Sequence, residues 1–135
     1  MKPIEYGNGD ATYQAIGGEQ GLITLIDRFY DIMGSRAEYS RVWEMHPADK
    51  NVSRDKLARF LMSWTGGPSR YKEKYGPISI PKAHAHLEIT AKERDQWLNC
   101  MGDALRDLGY AEELTAYLLE QLAVPANRIL QACER

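Results

Sequence analysis

Apolar side chains recur along the chain at spacings of three and four residues, which place them on one face of an α-helix. The first long stripe consists of Leu22, Leu25, Ile26, Phe29, Tyr30 and Met33. Asp10 is suited to cap a short preceding helix, and Gly17-Gly18 breaks the chain between that helix and the stripe. No stretch of five or more residues alternates strictly between apolar and polar, so the pattern predicts an all-helical chain.

Two later stripes predict helices whose ends are also marked in the sequence. Ser53 is a plausible N-cap for the first of them, and "TGGP" at 65–68 ends it. Its apolar residues are Leu57, Phe60, Leu61 and Trp64. The other opens with a capping box formed by Thr90 and Glu93, and Gly109 ends it. Its apolar face includes Trp97, Met101, Ala104, Leu105 and Leu108.

A final helix is predicted from near Ala111 onward. Its apolar residues are Leu114, Tyr117, Leu118, Leu122, Ile129 and Leu130. Pro125 should kink or split this helix, because proline removes one amide donor and crowds the preceding turn. The earlier segment 66–83, "GGPSRYKEKYGPISIPKA", is predicted to be a long irregular connection. Such connections are uncommon inside a compact domain and are often functional, and this one ends directly before His84.

Length and composition indicate an ordinary single domain. The chain has 135 residues, 44% of them hydrophobic and 27% charged, and we expect one domain over 1–135 with 1–9 as a loose N-terminal extension. A net charge of −2 argues against a nucleic-acid or anionic-membrane surface. Without an apolar signal core or a membrane-length apolar run, the chain is expected in the cytoplasm. Cys100 and Cys133 are expected to be two buried free thiols.

The three histidines are the strongest candidates for chemistry. His84 and His86 are two residues apart, which on a helix directs them away from each other and makes a zinc site a poor prediction. Taken alone, His84 is more often a hydrogen-bonded surface residue than a ligand, and Tyr30 and Trp97 are more often core aromatics. Together they suit a haem pocket, which needs one axial imidazole, flat apolar walls and a few donors facing the ligand.

Four motifs in their order and spacing resemble the truncated haemoglobins of group II. "YQAIGG" (13–18) is similar to the opening helix and glycine turn of that family, and "LIDRFYDIM" (25–33) to its second helix. "LARFLMSWTGGPSRY" (57–71) resembles its distal helix, and "HAHLEITAKERDQWLNCM" (84–101) the stretch with the proximal histidine and the tryptophan that marks the group. The resemblance covers nearly the whole chain.

The resemblance implies an all-α, globin-like two-over-two helical sandwich that encloses one haem b. It assigns the iron to His84 and leaves His86 at the surface or the pocket edge. The other residues that it places around the haem are Leu57, Phe60, Leu61, Trp64, Tyr71, Lys82, Leu87 and Met101. Relatives often carry arginine directly before the proximal histidine, whereas this chain has Ala83. Lys82, Arg70, Lys72 or Tyr71 would then have to pair with the haem propionates.

On the ligand side, the resemblance implies that Tyr30, Trp97 and His46 point toward a diatomic ligand. Phe29 and Ser53 belong to the same distal side, where Ser53 would be an unusually small gate residue. Because Pro47 disfavours helical geometry at His46, this side chain could turn inward from its loop and make ligand binding depend on pH. A solvated loop histidine is the equally weighted alternative.

The function implied is binding of O2, NO or CO at a five-coordinate haem iron. A hydrogen bond to a charged acceptor contributes about 1.5–3 kcal/mol, so three distal donors predict slow O2 release. Slow release suits O2/NO or peroxide chemistry, with a reductase as partner, better than transport. Two alternatives stay open, a haem enzyme (peroxidase or NO dioxygenase) and a helical interaction domain without haem. No nucleic-acid or membrane partner is expected, and the chain should be a monomer or weak homodimer.

Overall fold

The computed structural model describes residues 5–133, which fold almost entirely into helices. In chain order these are α1 (Ala11–Ile16), α2 (Gly18–Ser35), α3 (Ser40–Met45), α4 (Lys50–Trp64), α5 (Arg70–Tyr75), α6 (Ile80–His84), α7 (Ala91–Asp107) and α8 (Glu112–Cys133), with a 3-10 turn at Ala37–Tyr39 before α3. No β-strand occurs in this range, as the sequence predicted. None of these helices is long and apolar enough to cross a lipid bilayer.

Four long helices form the two layers of the fold. α2 packs on α4, α7 packs on α8, and the contact between α2 and α7 joins the two pairs. This is the two-over-two arrangement that the resemblance implied. The shorter helices attach at the edges, with α5 against α4 and α6 against α8.

The core lies where the apolar stripes of α2 and α7 meet. The side chains of Leu22, Ile26, Phe29, Met101 and Leu105 are at most 1% exposed. Burying a side chain of this size stabilises the fold by about 1.5–3 kcal/mol. The predicted apolar face of α2 is therefore confirmed, and this core holds the two helices that carry Tyr30 and Trp97.

Two of the predicted helix starts differ from the structure. Asp49, not Ser53, caps α4, and its carboxylate accepts from the amides of Asn51 and Val52 at 3.1 and 3.4 Å. Both residues are good cappers, but Asp49 comes four residues earlier and leaves Ser53 inside the helix. Asp10 precedes α1 without a capping bond, because its carboxylate accepts from the Gln14 amide at 3.1 Å.

The start of α7 agrees with the sequence better than its end does. The Thr90 amide and hydroxyl both donate to Glu93 Oε1, at 3.1 and 2.9 Å, and form the predicted capping box. Gly109 adopts a left-handed φ of 80° shortly after the helix, as expected. Leu108 was wrongly placed on the apolar face, since it follows the last helical residue and is 38% exposed.

Pro125 was expected to kink or split the last helix, and a split is wrong, because α8 runs through it from Glu112 to Cys133. Packing on both sides of the proline explains this continuity. Leu118 and Leu122 are buried before it, and the last turn of α8 packs against α6. Tertiary contacts therefore outweigh the one amide bond that proline cannot make.

The segment 66–83 is not the irregular connection that its composition predicted, since it contains α5 and α6. Neither of these short helices has a fully buried residue. Helices of five or six residues are not stable alone, so their packing on α4 and α8 must hold them. Of the segment expected to be a loose extension, residues 5–9 are described, and the Tyr6 ring lies 5.2 Å from that of Tyr117 on α8. Residues 1–4 lie outside the described range.

Candidate functional site

A row of aromatic rings links α2 to α7 and forms the rigid part of the candidate site. The Phe29 ring is fully buried and meets the Tyr30 ring at a centroid distance of 5.2 Å. On its other side it meets the Trp97 ring edge-on at 5.1 Å. Such edge-to-face pairs contribute about 0.5–1.5 kcal/mol beyond the area they bury. Packing within the core therefore fixes the positions of both Tyr30 and Trp97.

Tyr30 and Trp97 carry hydrogen-bond donors with no protein acceptor among residues 5–133. Burial raises the pKa of Tyr30, and the guanidinium of Arg54, 5.5 Å from the ring centroid, lowers it by a smaller amount. The net result keeps the phenol protonated across the physiological pH range. Trp97 can only donate. The two side chains can therefore supply hydrogen bonds to a third group.

His46 joins this group from the end of α3. Its backbone is extended (φ −82°, ψ 149°), as Pro47 was expected to require. Its ring lies 5.4 Å from that of Tyr30, edge to face, so the loop histidine does turn inward. Its Nδ1 lies 2.8 Å from the carbonyl oxygen of Val42. A carbonyl can only accept, so Nδ1 carries the proton, and neutral His46 presents Nε2 as an acceptor.

The charge state of His46 follows from its surroundings. Burial lowers the pKa of His46, the Val42 carbonyl raises it, and the nearby charges of Lys50 and His84 lower it further. The net lowering keeps His46 neutral at neutral pH.

His84 is the last residue of α6, and its ring orientation is set by its own helix. Its Nδ1 lies 2.8 Å from the carbonyl oxygen of Ile80, one turn earlier, to which it donates. The proton is thereby placed on Nδ1, and Nε2 keeps a lone pair for a metal. His86 lies in the following turn and is exposed. Of the two histidines that the sequence offered, His84 alone has this arrangement.

The apolar side chains of α4 supply a wall beside these polar groups. Leu57, Phe60 and Trp64 fall on one face of the helix, are half-buried and pack at the edge of the core. Leu61 and Met101 are fully buried and share a small internal cavity with Trp64. Leu87 is half-buried in the turn after His84. Ser53 is half-buried on α4.

A charged cluster between α4 and α5 was missed in the sequence. Asp55 accepts from Lys74 Nζ at 2.8 Å, from Arg59 Nε at 3.0 Å and from the Tyr75 hydroxyl. Burial raises the pKa of Asp55, but these hydrogen bonds outweigh it and bring the pKa to about 2. The cluster holds α5 against α4.

Of the four residues expected to pair with the haem propionates, Arg70, Tyr71 and Lys72 lie on α5 and Lys82 lies on α6. Lys72 and Lys82 are exposed, and Arg70 pairs with Glu73 at 3.2 Å. The Tyr71 ring lies 5.1 Å from that of Tyr75.

The side chains present fit an iron porphyrin. The donor that such an iron takes in globins is an imidazole whose other nitrogen is hydrogen-bonded, and His84 has that hydrogen bond through Nδ1. Leu57, Phe60 and Trp64 on α4 offer half-buried apolar surface, and Tyr30 and Trp97 offer donors for a ligand. No group of three or more histidine, cysteine or acidic residues suited to a bare metal ion occurs among residues 5–133.

Another cleft, of about 270 Å³, lies elsewhere in the molecule. The N-terminal segment, the end of α4 and α8 form it, and its walls include Thr12, Ser63, Tyr117 and Gln121. Trp64 lines both this cleft and the apolar wall of α4, but Tyr30, His46 and Trp97 do not line the cleft. We assign it no part in the candidate chemistry.

Arg54 is a residue of the site that the sequence did not indicate. Its guanidinium covers the Tyr30 ring and donates to the carboxylates of Asp27 and Asp31 on α2, at 3.2 and 2.9 Å. The two aspartates are four residues apart, so they share a face of α2 next to Tyr30. This spacing is visible in the sequence, but their arginine partner on another helix is not.

Comparisons with known proteins give a consistent result. A sequence profile of the bacterial-like globin family matches residues 11–130. The group 2 truncated hemoglobin YjbI of Bacillus subtilis is 31% identical over 125 residues, which cover 93% of this chain and 92% of that protein.

Two solved structures are similar in both fold and sequence. The cold-adapted truncated hemoglobin of the Antarctic marine bacterium Pseudoalteromonas haloplanktis TAC125 superimposes with a TM-score of 0.83 at 30% identity, over 88% of this chain and 96% of that one. A truncated oxygen-avid haemoglobin from Bacillus subtilis gives 0.78 at 31% identity, over 88% and 98%.

Proposed function

Because this chain belongs to the bacterial-like globin family, among the group II truncated haemoglobins, we propose that it holds haem b through His84 and binds diatomic gases such as O2, NO and CO. The observation that carries the proposal is the hydrogen bond from His84 Nδ1 to the Ile80 carbonyl, which directs Nε2 outward as a ligand. When bound, the haem iron supplies one coordination position for the protein and one for the gas, so the iron would be five-coordinate before the gas binds.

The chain's own residues would set the strength of binding on both sides. The Ile80 carbonyl would fix the plane of the His84 imidazole. Leu57, Phe60, Leu61, Trp64, Leu87 and Met101 would supply the apolar walls that exclude water. The whole of 1–135 would act as one domain.

The propionates are proposed to pair with Lys82, Arg70, Lys72 or Tyr71. Lys74 and Tyr75 are poorer candidates for this role, because Asp55 already engages them.

On the ligand side, Tyr30 and Trp97 would donate hydrogen bonds to the gas, and Phe29 would keep them in place. Neutral His46 would compete through Nε2 for the single hydroxyl proton of Tyr30 and so weaken the bond from Tyr30 to the gas. Each donor to a partly charged ligand contributes about 1.5–3 kcal/mol, so slow O2 release follows. The oxygen-avid character named for the Bacillus subtilis relative supports this expectation. Ser53 would leave room at the pocket entrance.

The experiment that tests the proposal is haem titration of the purified protein, with the Soret band as the signal. We expect one haem per chain in the wild type and in His86→Ala, and loss or strong weakening of binding in His84→Ala. Since His86 lies two residues away and is exposed, it controls for nonspecific effects. A wild type without a Soret band would support the haem-free alternative. Loss of haem in His86→Ala alone would move the assignment to that residue.

The group of polar side chains around Tyr30 favours one second candidate, turnover of the bound gas. In an NO dioxygenase reaction, NO and O2 are consumed, nitrate forms, and a reductase returns one electron to the haem. Tyr30 and Trp97 would polarise the O2 by donating to it. Steady-state nitrate production with a supplied reductase tests this function separately from binding. Stable O2 binding without nitrate formation would leave simple ligand binding.

A further inference from the structure

The backbone of His84 is held from two directions. Its carbonyl oxygen accepts from the amide of Leu87 at 3.0 Å, within the turn after α6. It also accepts from the thiol of Cys133, on the last turn of α8, at 3.2 Å. The Cys133 bond links residues 49 positions apart. It is a direct tertiary bond to the residue that carries the proposed iron ligand.

The short helix before His84 cannot hold this position alone. α6 has five residues and none of them is fully buried. One turn of helix is unstable in isolation, so contacts with the rest of the protein decide where it lies. Its main packing partner is α8, and the Cys133 thiol donates at the C-terminal end of α6, where helical carbonyls receive no bond from within the helix.

We propose that Cys133 is a positioning residue for His84, which anchors the end of α6 to α8 and so limits the orientations of the imidazole. This inference rests on the proposed role of His84 as the iron ligand. The Ile80 carbonyl fixes the ring within the helix, and Cys133 fixes the helix end on the protein. A thiol is a weak donor, so its loss changes the orientation of His84 more than the stability of the fold.

Cys100 provides a matched control within the same chain. Its thiol also donates to a backbone carbonyl, that of Phe29, at 3.3 Å. Cys100 is fully buried, whereas Cys133 is half-buried, which corrects the expectation of two buried thiols. Each cysteine therefore donates to a backbone carbonyl of a site residue, Cys100 to that of Phe29 and Cys133 to that of His84. Only Cys133 is partly accessible to reagents in solution.

The test compares ferrous ligand-free holoproteins by the iron–histidine stretching band in resonance Raman spectra and by the rate of haem transfer to apomyoglobin. In Cys133→Ala we expect a shifted or broadened band and about two- to five-fold faster haem transfer. Cys133→Ser keeps a donor and should restore both values. Cys100→Ala should leave the band at its wild-type position. An unchanged band in Cys133→Ala, or a serine variant that behaves like alanine, would overturn the proposal.

A second measurement avoids mutation. Iodoacetamide added to the wild-type holoprotein should alkylate the half-buried Cys133 and spare Cys100, which mass spectrometry can verify. The alkylated thiol has no hydrogen to donate, so the band should shift as in Cys133→Ala. An alkylated protein with a wild-type band would also overturn the proposal. A wild type that takes up no haem would instead refute the proposed function itself, so the two failures are distinguishable.

Discussion

The two sides of the candidate site are built in different ways. The side formed by Phe29, Tyr30 and Trp97, here called the distal wall, stands on two long helices in the centre of the core. The side formed by residues 80–89, the proximal arm, consists of a five-residue helix and a turn with no fully buried residue. Tyr30 is 2% exposed, whereas His84 is half-buried.

This difference indicates separate tasks. Interlocked core side chains position the donors of the distal wall, so any shift there must disturb the core. Three hydrogen bonds position His84. Its Nδ1 donates to the Ile80 carbonyl, and its own carbonyl oxygen accepts from the Leu87 amide and the Cys133 thiol. The proximal arm can therefore be adjusted by small changes, while the distal wall resists them.

The largest expected difference between the distal wall and the proximal arm is in how much a substitution lowers the free energy of unfolding. Phe29→Ala should lower the free energy of unfolding of the haem-free protein by about 3–5 kcal/mol, because it opens a cavity in the core. Leu87→Ala, in the half-buried turn of the proximal arm, should cost about 1 kcal/mol or less. Urea denaturation followed by circular dichroism measures both. Equal losses would remove the distinction between the two sides.

A smaller effect should appear in ligand kinetics when the distal wall loses a donor but keeps its packing. Trp97→Phe removes the indole N–H and leaves an aromatic ring against Phe29. We expect O2 to dissociate about ten-fold faster or more, since one charge-assisted hydrogen bond is lost. Stopped-flow displacement of O2 by CO gives the rate. If stability falls while the rate stays constant, Trp97 is a packing residue only.

The pH dependence of O2 release tests His46, where the distal wall meets the loop after α3. Burial lowers the pKa of His46, so protonation should occur below the ordinary value of about 6.5. Neutral His46 would draw the Tyr30 hydroxyl proton toward its Nε2, whereas protonated His46 would donate from both nitrogens and leave that hydroxyl to the gas. O2 release should therefore slow several-fold as the pH falls from about 8.5 to 5.

His46→Phe should abolish this slope and leave Tyr30 and Trp97 as the only donors. A slope that persists in His46→Phe would assign the titration to another group. A flat wild-type profile would place His46 outside the ligand chemistry.

The smallest effect is expected for Asp55→Asn, which weakens the contact between α4 and α5. The folded pKa of Asp55, about 2, lies below the ordinary 3.8, so its contribution to stability is complete above the ordinary value and is lost as the pH falls toward 2. Because the ion pair between Asp55 and Lys74 is partly exposed, we expect the free energy of unfolding to fall by about 1 kcal/mol or less near neutral pH. Thermal unfolding of the haem-free protein at pH 7 and pH 3 measures it. A difference that grows on acidification would contradict this origin.

The contrast also explains what could be predicted from the sequence. The face of α2, the glycine break at 17–18 and the capping box at Thr90 depend on neighbours within a few residues, and the structure confirms them. The fold class followed from these signals together with the resemblance. The rest depended on contacts between distant residues, which no local pattern contains.

Particular residues illustrate that limit. Asp49 and Ser53 are equally good caps by type, and the position where α4 meets α2 decides between them. α5 and α6 lie in a glycine- and proline-rich segment whose composition indicates a loop, and only their packing on α4 and α8 makes them helical. Pro125 breaks isolated helices, but α8 is supported on both sides of it. Arg54 bonds to Asp27 and Asp31, and Cys133 bonds to His84, each across two helices. The sequence spacing does not indicate these pairings.

The capping box at Thr90 has a consequence for how such a chain can diverge. It fixes the first residue of α7, and Trp97 follows seven residues later, about two helical turns on. Residues inserted or deleted between His84 and Thr90 would therefore move His84, the proposed iron ligand, without rotating Trp97 about the axis of α7. Selection can thus alter the length and sequence of this turn in descendants while it preserves the direction in which the Trp97 indole N–H points.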